Sequence, residues 1–192
     1  VKQKGSKVRK AIAMDLATRL INHGPVVMVA SLFGKKVDVT PIAWHMPVEK
    51  DPPLIVLEIW EGHFIFDCIK KTGDFTVNIL PSDFIKAIVK CGSVSGRDAD
   101  KIKMCSFALS PSKKIKSPAL AGAIGVLECV LVKDERLLKK YNMVLGKVKH
   151  AEVDGKAFKE HWLFGKKGAK TVHHLGNRTF SLSGGKVIDL RK

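Results

Sequence analysis

Short, dense apolar runs separated by turn-forming clusters dominate the chain, and this rhythm predicts strands more often than helices. Pro25 opens PVVMVASLF, where valines and bulky apolar residues follow one another without polar alternation, as in a strand covered on both faces. Gly34-Lys35-Lys36 predicts a turn and Val37 to Thr40 a second strand. Pro41 removes a ladder donor, so the chain is expected to leave the sheet there and to form an exposed loop through Ala43, Trp44 and His45. After Asp51-Pro52-Pro53, LIVLEIW predicts a central strand ending at Trp60. His63 to Lys71 predicts a short helix broken by Thr72-Gly73-Asp74, and FTVNIL from Phe75 another strand. Pro81 suits the first turn of a further helix carrying Phe84, Ile85, Ile88 and Val89 and ending near Gly92.

Lys101 to Pro118 is irregular and is expected to be a surface loop. Strand character returns at Ala123 to Val132, at Met143 to Val153 after a turn near Asp134, and at Thr171 to Leu175 and Phe180 to Leu182. Upstream, Ile12, Leu16, Leu20 and Ile21 recur at helical intervals, predicting an amphipathic helix over Lys10 to Ile21. The expected organisation is an N-terminal helical extension, 1–22, ahead of a single domain, 23–192. Many strands with few short helices favour a mainly β fold, an antiparallel barrel rather than a doubly wound sheet.

Composition narrows the function classes. With 192 residues, 45% hydrophobic and 27% charged, the chain can bury a core and does not read as disordered. Its net charge of +16 suits DNA, RNA, an anionic membrane or a phosphorylated small molecule, without choosing among them. The longest apolar stretch, Ala119 to Val132, carries Glu128 and falls short of the roughly 18 residues of a spanning helix. The opening VKQKGSKVRK lacks a following apolar segment, so a cytoplasmic protein is expected. Four cysteines, Cys68, Cys91, Cys105 and Cys129, contain no CxxC pair, which predicts reduced thiols and no metal site.

Three segments could carry chemistry. Cys91 to Lys101, CGSVSGRDADK, combines permissive backbone, serine hydroxyls, Arg97 and Lys101, groups that together can cradle an anion; a helix cap followed by a solvated turn is the equal alternative. In TPIAWH, Thr40 to His45, backbone donors could face a planar ligand, Trp44 offers an apolar surface and His45 a proton-transfer group, although a lone tryptophan more often packs. Asn78 is a polar residue inside an apolar strand, where an unpaired amide is costly, so an internal or ligand partner is expected.

Taken in order, GPVVMVAS, VTPIAW, DPPLIVLEI, TGDFTVNIL and CGSVSGRDADK, then LECVL, GKV and HHLG more weakly, resemble the flavin reductase-like family that binds FMN in a split β-barrel of antiparallel Greek-key type, and particularly its flavoredoxin-like branch. The resemblance implies that Thr40, Pro41, Ile42, Ala43 and Trp44 line the isoalloxazine, that Asn78 lies near the ring or its ribityl arm, and that His63, Ser93, Ser95, Gly96, Arg97 and Lys101 serve the phosphate end. It also implies a homodimer, with His173 and His174 candidates to approach a site from the partner chain, and no catalytic side chain. Two departures stand out: Ile65 occupies a position where the family often has threonine, and Val37-Asp38-Val39-Thr40 lacks an asparagine common before the threonine, leaving Asp38 a turn or strand role.

The function implied is an FMN-dependent oxidoreductase or flavoredoxin, cycling FMN between oxidation states, with NADH or NADPH as candidate donors or a redox protein as partner. A non-enzymatic FMN electron carrier is the near alternative. A basic nucleic-acid-binding barrel is the distant one: Lys113-Lys114-Ile115-Lys116 motivates it, but no aromatic-rich binding strand accompanies that run.

Overall fold

Alternation along the first strand explains its uniformly apolar sequence. In the computed structural model, which describes residues 24–165 and 170–184, β1 (Val27–Phe33) sends Val27 and Val29 into one core and Met28 and Ala30 into another. Both faces of the strand are covered, so neither needs polar residues. The predicted Lys10 to Ile21 helix and the 1–22 extension lie outside the described residues.

The chain continues through β2 (Lys36–Ile42), β3 (His45–Lys50), β4 (Pro53–Glu58), α1 (Phe64–Thr72) and β5 (Asp74–Ile79). A 3-10 turn, Ser82–Phe84, then leads into α2 (Ile85–Gly92), α3 (Lys101–Met104), β6 (Leu109–Ser110) and β7 (Ala119–Leu120). β8 (Gly125–Val132), α4 (Glu135–Tyr141), β9 (Met143–Val153), β10 (Val172–Gly176) and β11 (Thr179–Leu182) complete the described elements.

Seven strands form one sheet in the order β2-β1-β5-β8-β9-β4-β3, every neighbouring pair antiparallel. β2 and β3, consecutive in the chain, therefore stand at opposite edges, yet only Ala43 and Trp44 join them. Laid flat, seven strands would separate their edges by about 29 Å at ~4.8 Å per strand. Two intervening residues span at most about 11 Å. The sheet must curl until its edges meet, a barrel split between β2 and β3. The core of Val29, Leu57, Ile59, Phe75, Cys129 and Val144 fills one side of the curled sheet with α1, while Met28, Val39, Leu80, Ile88 and Phe107 pack α2 and its neighbours on the other.

Three expectations change. The chain does not leave the sheet at Pro41: β2 runs on to Ile42, with Pro41 opposite Met28 and Ile42 opposite Val27. β2 is an edge strand, where a proline can direct its missing donor away from the sheet. Within the segment from Lys101 to Pro118, Asp100 accepts a hydrogen bond from Lys103 N at 3.1 Å and starts α3, and β6 pairs with β7. The turn near Asp134 is the N-cap of α4, with Asp134 accepting from Leu137 N at 2.9 Å and Asn142 closing the helix in the left-handed region.

α1 forms where expected because its apolar positions share a face: Ile65, Phe66, Cys68 and Ile69 are buried, Lys70 and Lys71 complement the last turn, and Gly73 at φ 79° ends it. Its first residues and the segment before them face the edge strand β2, and that proximity creates the site.

Candidate functional site

Period-two alternation puts Lys36, Asp38 and Thr40 on one face of β2. That face meets two loops: Trp60 to Phe64, entering α1, and Gly92 to Lys101, between α2 and α3. Together they enclose a cleft of about 340 Å³ whose wall includes Thr40, Pro41, His63, Ser93, Ser95, Gly96 and Lys101. Thus most of the polar residues expected in TPIAWH and CGSVSGRDADK converge, although about fifty positions separate the segments.

Gly96 is where the loop comes closest. Its carbonyl accepts from Lys36 Nζ, and a Cβ at this position would collide with Asp38 Oδ1 and stand 2.9 Å from Phe64 Cδ1. Gly92 approaches similarly, with Pro41 Cγ 2.9 Å from a would-be Cβ. Both glycines are required by contact rather than by turn conformation.

Lys101 is 4% exposed. Its Nζ donates to the Val39 carbonyl and to Thr40 Oγ1, each at 3.0 Å, which leaves one of the three ammonium N–H groups for the cleft. Asp38 is 3.7 Å from this ammonium, an ionic neighbour beyond hydrogen-bonding reach, and its Oδ1 has no partner. Burial holds the Asp38 carboxyl above its ordinary value, against the opposing pull of Lys101 and Lys36. His63 is pushed below its ordinary value by burial first and by Lys101 second, with Asp38 opposing, so a neutral imidazole is favoured near neutral pH. Ser95 Oγ accepts from Arg97 N at 3.1 Å and keeps its own O–H to donate. A buried cation with a spare donor, a free hydroxyl and close glycine backbone fit a phosphate better than a neutral ligand.

On the other side of Pro41, Gly92 and Ser93 lies a second cavity of about 350 Å³, floored by Val26, Ala43, Ile88 and Val89 and rimmed by His174, Asn177, Arg178 and Phe180 of the β10–β11 hairpin. An apolar floor beside a polar cleft suits an amphiphilic ligand with a planar apolar part and an anionic end.

Other expected site residues stand elsewhere. Ile42 is buried in the core at 6% exposure. Ala43 faces the apolar cavity rather than the cleft. Trp44 is 47% exposed between the two edge strands, its carbonyl accepting from Glu58 N at 2.9 Å. Arg97 sits at the rim, its guanidinium donating to Gly62 O at 2.8 Å and pairing with Asp67. Asn78 lies in the interior, its Nδ2 donating to Met28 O and Thr76 Oγ1 and its Oδ1 accepting from Leu120 N. Ile65 is fully buried, pointing into the core rather than the cleft. His174 lines the apolar cavity of its own chain, whereas His173, its neighbour on β10, joins His45 at a separate apolar hollow of about 560 Å³ because successive strand residues point to opposite sides.

Phe64 lines the cleft beside His63, and Trp60 and Gly62, which the motifs do not single out, join them. Trp60 covers Gly62 so closely that a Cβ there would collide with its ring, and the sequence signal was the aromatic–glycine pair directly ahead of a helix. The basic run at Lys113 is tied down by acids: Glu128, 2% exposed, accepts from Lys113 N at 2.8 Å and Lys114 N at 2.7 Å, and Asp74 from Lys116 N at 3.1 Å. Among the described residues no group of three or more His, Cys, Asp or Glu could hold a metal ion, and no helix is long and apolar enough to cross a membrane.

Residues 19–173 match the family described as flavin reductase like domain. The Escherichia coli (strain K12) protein YddH is 30% identical over 180 residues, 92% of this chain and 95% of that protein. Among solved structures, an FMN-binding domain of a flavin reductases-like enzyme from Shewanella baltica OS155 superimposes with a TM-score of 0.81 at 23% identity, covering 94% of this chain and 96% of that one. The flavoredoxin of Desulfovibrio vulgaris (Miyazaki F) superimposes with a TM-score of 0.77 at 16% identity, covering 98% of each chain. At these identities the two structures establish a shared fold.

Proposed function

Because the chain belongs to the flavin reductase-like family, we propose that it binds FMN noncovalently and works as an FMN-dependent oxidoreductase or flavoredoxin, taking electrons from NADH, NADPH or a redox protein. The observation that carries the proposal is the buried Lys101 ammonium, opening with Gly96 and Ser95 onto a polar cleft directly beside an apolar cavity. FMN, when bound, supplies the electron transfer; the chain supplies position and field.

Lys101 and Ser95 hold the phosphate, with His63 as a neutral neighbour. Pro41 of β2 and Ala43 just after it form one wall for the ring, and Ile88 and Val89 of α2 the other, excluding water from its apolar edge. Fixed backbone dipoles along the β2 edge favour charge that develops on a ligand there. Trp44, exposed at the split between the edges, guards the entrance rather than stacking within it. Thr40 keeps Lys101 oriented, and Arg97 holds the two loops together through Gly62 and Asp67. No side chain acts as a nucleophile in this scheme. The quaternary state proposed is a homodimer, supported by the apolar Met46 and Val48, 57% and 50% exposed on the edge strand β3.

The test is purification without added cofactor, followed by absorbance and mass analysis of any released ligand, titration of the apoprotein with FMN, and anaerobic stopped-flow mixing with NADH and with NADPH. Tight FMN binding followed by bleaching with either nicotinamide is the expected result. FMN binding without reduction by either would leave the carrier reading in place of the enzyme, and failure to bind FMN would overturn both. Sedimentation velocity reads the oligomeric state in the same preparation.

A further inference from the structure

Asp38 lies directly behind the cleft at 1% exposure, and its Oδ1 has no hydrogen-bond partner. The remaining oxygen is reached by Thr40 Oγ1 at a long 3.5 Å, and the Val39 backbone N–H is the one further donor acting on the carboxylate. Lys101, 3.7 Å away, directs its bonds to Val39 O and Thr40 Oγ1 instead. Gly96 closes over the carboxylate, since a Cβ there would stand 2.5 Å from Asp38 Cγ. A negative charge is therefore held against the back of the loop whose front faces the ligand.

Such a carboxylate is poorly matched to its surroundings when ionised, because burial removes water and too few donors replace it. An anion brought against Gly96 and Lys101 makes the mismatch worse. It repels Asp38 and competes for the ammonium that partly neutralises it. Both penalties vanish if Asp38 becomes a neutral acid. We infer, on the strength of the FMN reading above, that Asp38 takes up a proton when a phosphate enters the cleft, coupling FMN binding to protonation behind the cradle and releasing the charge of Lys101 to the ligand.

The charged and titratable groups around Asp38 make it the one suited to this role. From β2 itself comes Lys36, and from α3 Lys101, both favouring the ionised carboxylate. From the segment ahead of α1 comes His63, held below its ordinary value, with Arg97 acting on it from the rim. Cys68 of α1 and Cys91 of α2 face Asp38 too, but burial pushes both thiols up to about 12, so they stay neutral throughout. Asp67 lies further out and pairs with Arg97.

Isothermal titration calorimetry of the apoprotein with FMN, run in buffers of different ionisation enthalpy, counts the protons exchanged. The expected result is uptake approaching one proton per FMN at pH values above the free Asp38 titration, with Kd rising by up to about tenfold per pH unit there. Asp38→Asn should lose that uptake and bind FMN with a flatter pH dependence; the ionisation of the phosphate itself is common to both proteins and cancels in the comparison. Riboflavin, which lacks the phosphate, should show no Asp38-dependent uptake. An unchanged proton count in Asp38→Asn would overturn the coupling while leaving FMN binding intact, whereas no FMN binding by the wild-type protein would remove the cofactor reading itself. If Asp38→Asn does not fold, infrared difference spectra of the wild type with and without FMN must show a new carboxylic-acid C=O band, and its absence overturns the inference.

Discussion

Replacing Asn78 with leucine separates a structural amide from a cofactor contact. Asn78 is fully buried on β5, and all its hydrogen-bonding groups that face protein are engaged: Nδ2 with Met28 O and Thr76 Oγ1 at 3.0 Å each, Oδ1 with Leu120 N at 2.8 Å. Leucine keeps the branching and approximate volume but none of these bonds. The Leu120 N–H, in a residue 2% exposed, is then stranded at a cost of about 1–3 kcal/mol, and loss of the two donated bonds adds roughly 1 kcal/mol each. The total, about 3–5 kcal/mol, is a large share of the ~5–15 kcal/mol that holds a typical domain. Urea unfolding followed by tryptophan fluorescence should give a lower midpoint at unchanged m. FMN affinity, measured where the variant is still folded, should match the wild type, because the amide has no donor left to offer a ligand. A variant less than about 1 kcal/mol destabilised but binding FMN at least about tenfold more weakly would refute this reasoning and return Asn78 to the cofactor.

Further outcomes follow from the same geometry. Gly96→Ala forces a methyl into Asp38 and Phe64 and should cost about 1–3 kcal/mol, as overpacking does; pairing it with Asp38→Ser should recover part of that loss in a double-mutant cycle, and strict additivity would count against the contact. Lys101→Met should weaken binding of FMN far more than of riboflavin, and equal loss for the two ligands would reject a phosphate role. The folded state holds the Asp38 proton more tightly than the unfolded chain, so its contribution is present below pH ~3.8 and lost as pH rises through the raised folded value; Asp38→Asn should therefore gain stability relative to wild type at neutral pH and little in acid, read by denaturation at both. Cys68, Cys91 and Cys129, buried and pushed up to about 12, should resist alkylation of the native protein at pH 7 and react only on unfolding, while the half-buried Cys105 reacts first; mass spectrometry of labelled peptides checks the order.

Local chemistry was legible wherever it was self-contained. PVVMVASLF could be read as a doubly covered strand because its apolar density has no other cheap solution, and Met143 to Val153 because its lysines alternate with its core residues. α1 was legible from the glycine that ends it. α4 is not legible in the same way, though Asp134 followed by Glu135, Leu137 and Leu138 carries a cap and an apolar pair; seven residues between two strong strands offer too little periodicity to outweigh them. Pro41 misled for a different reason. Whether a proline ends a strand depends on which side of that strand is open, and sequence does not say which strand will be an edge.

The site divides along the same line. The cradle residues of CGSVSGRDADK announce themselves by type, because glycine, serine and lysine close together have few purposes besides a tight turn or an anion. Asn78 was correctly expected to have a partner, since a buried amide must, but an internal partner and a ligand make the same demand on the sequence. Asp38 gave no sign of its position, because its surroundings come from residues up to sixty-three positions away, at Lys101. By itself the sequence determined most of the longer strands, the helices α1 and α2, the anion-suited loop and the family likeness, all set by local side-chain chemistry and order. Only the tertiary structure decided that the sheet closes across Ala43 and Trp44, that Gly96 comes to rest on Asp38, and that Arg97 stays at the rim, because these depend on how far a short connection can reach and on which side chains the closed barrel leaves without water.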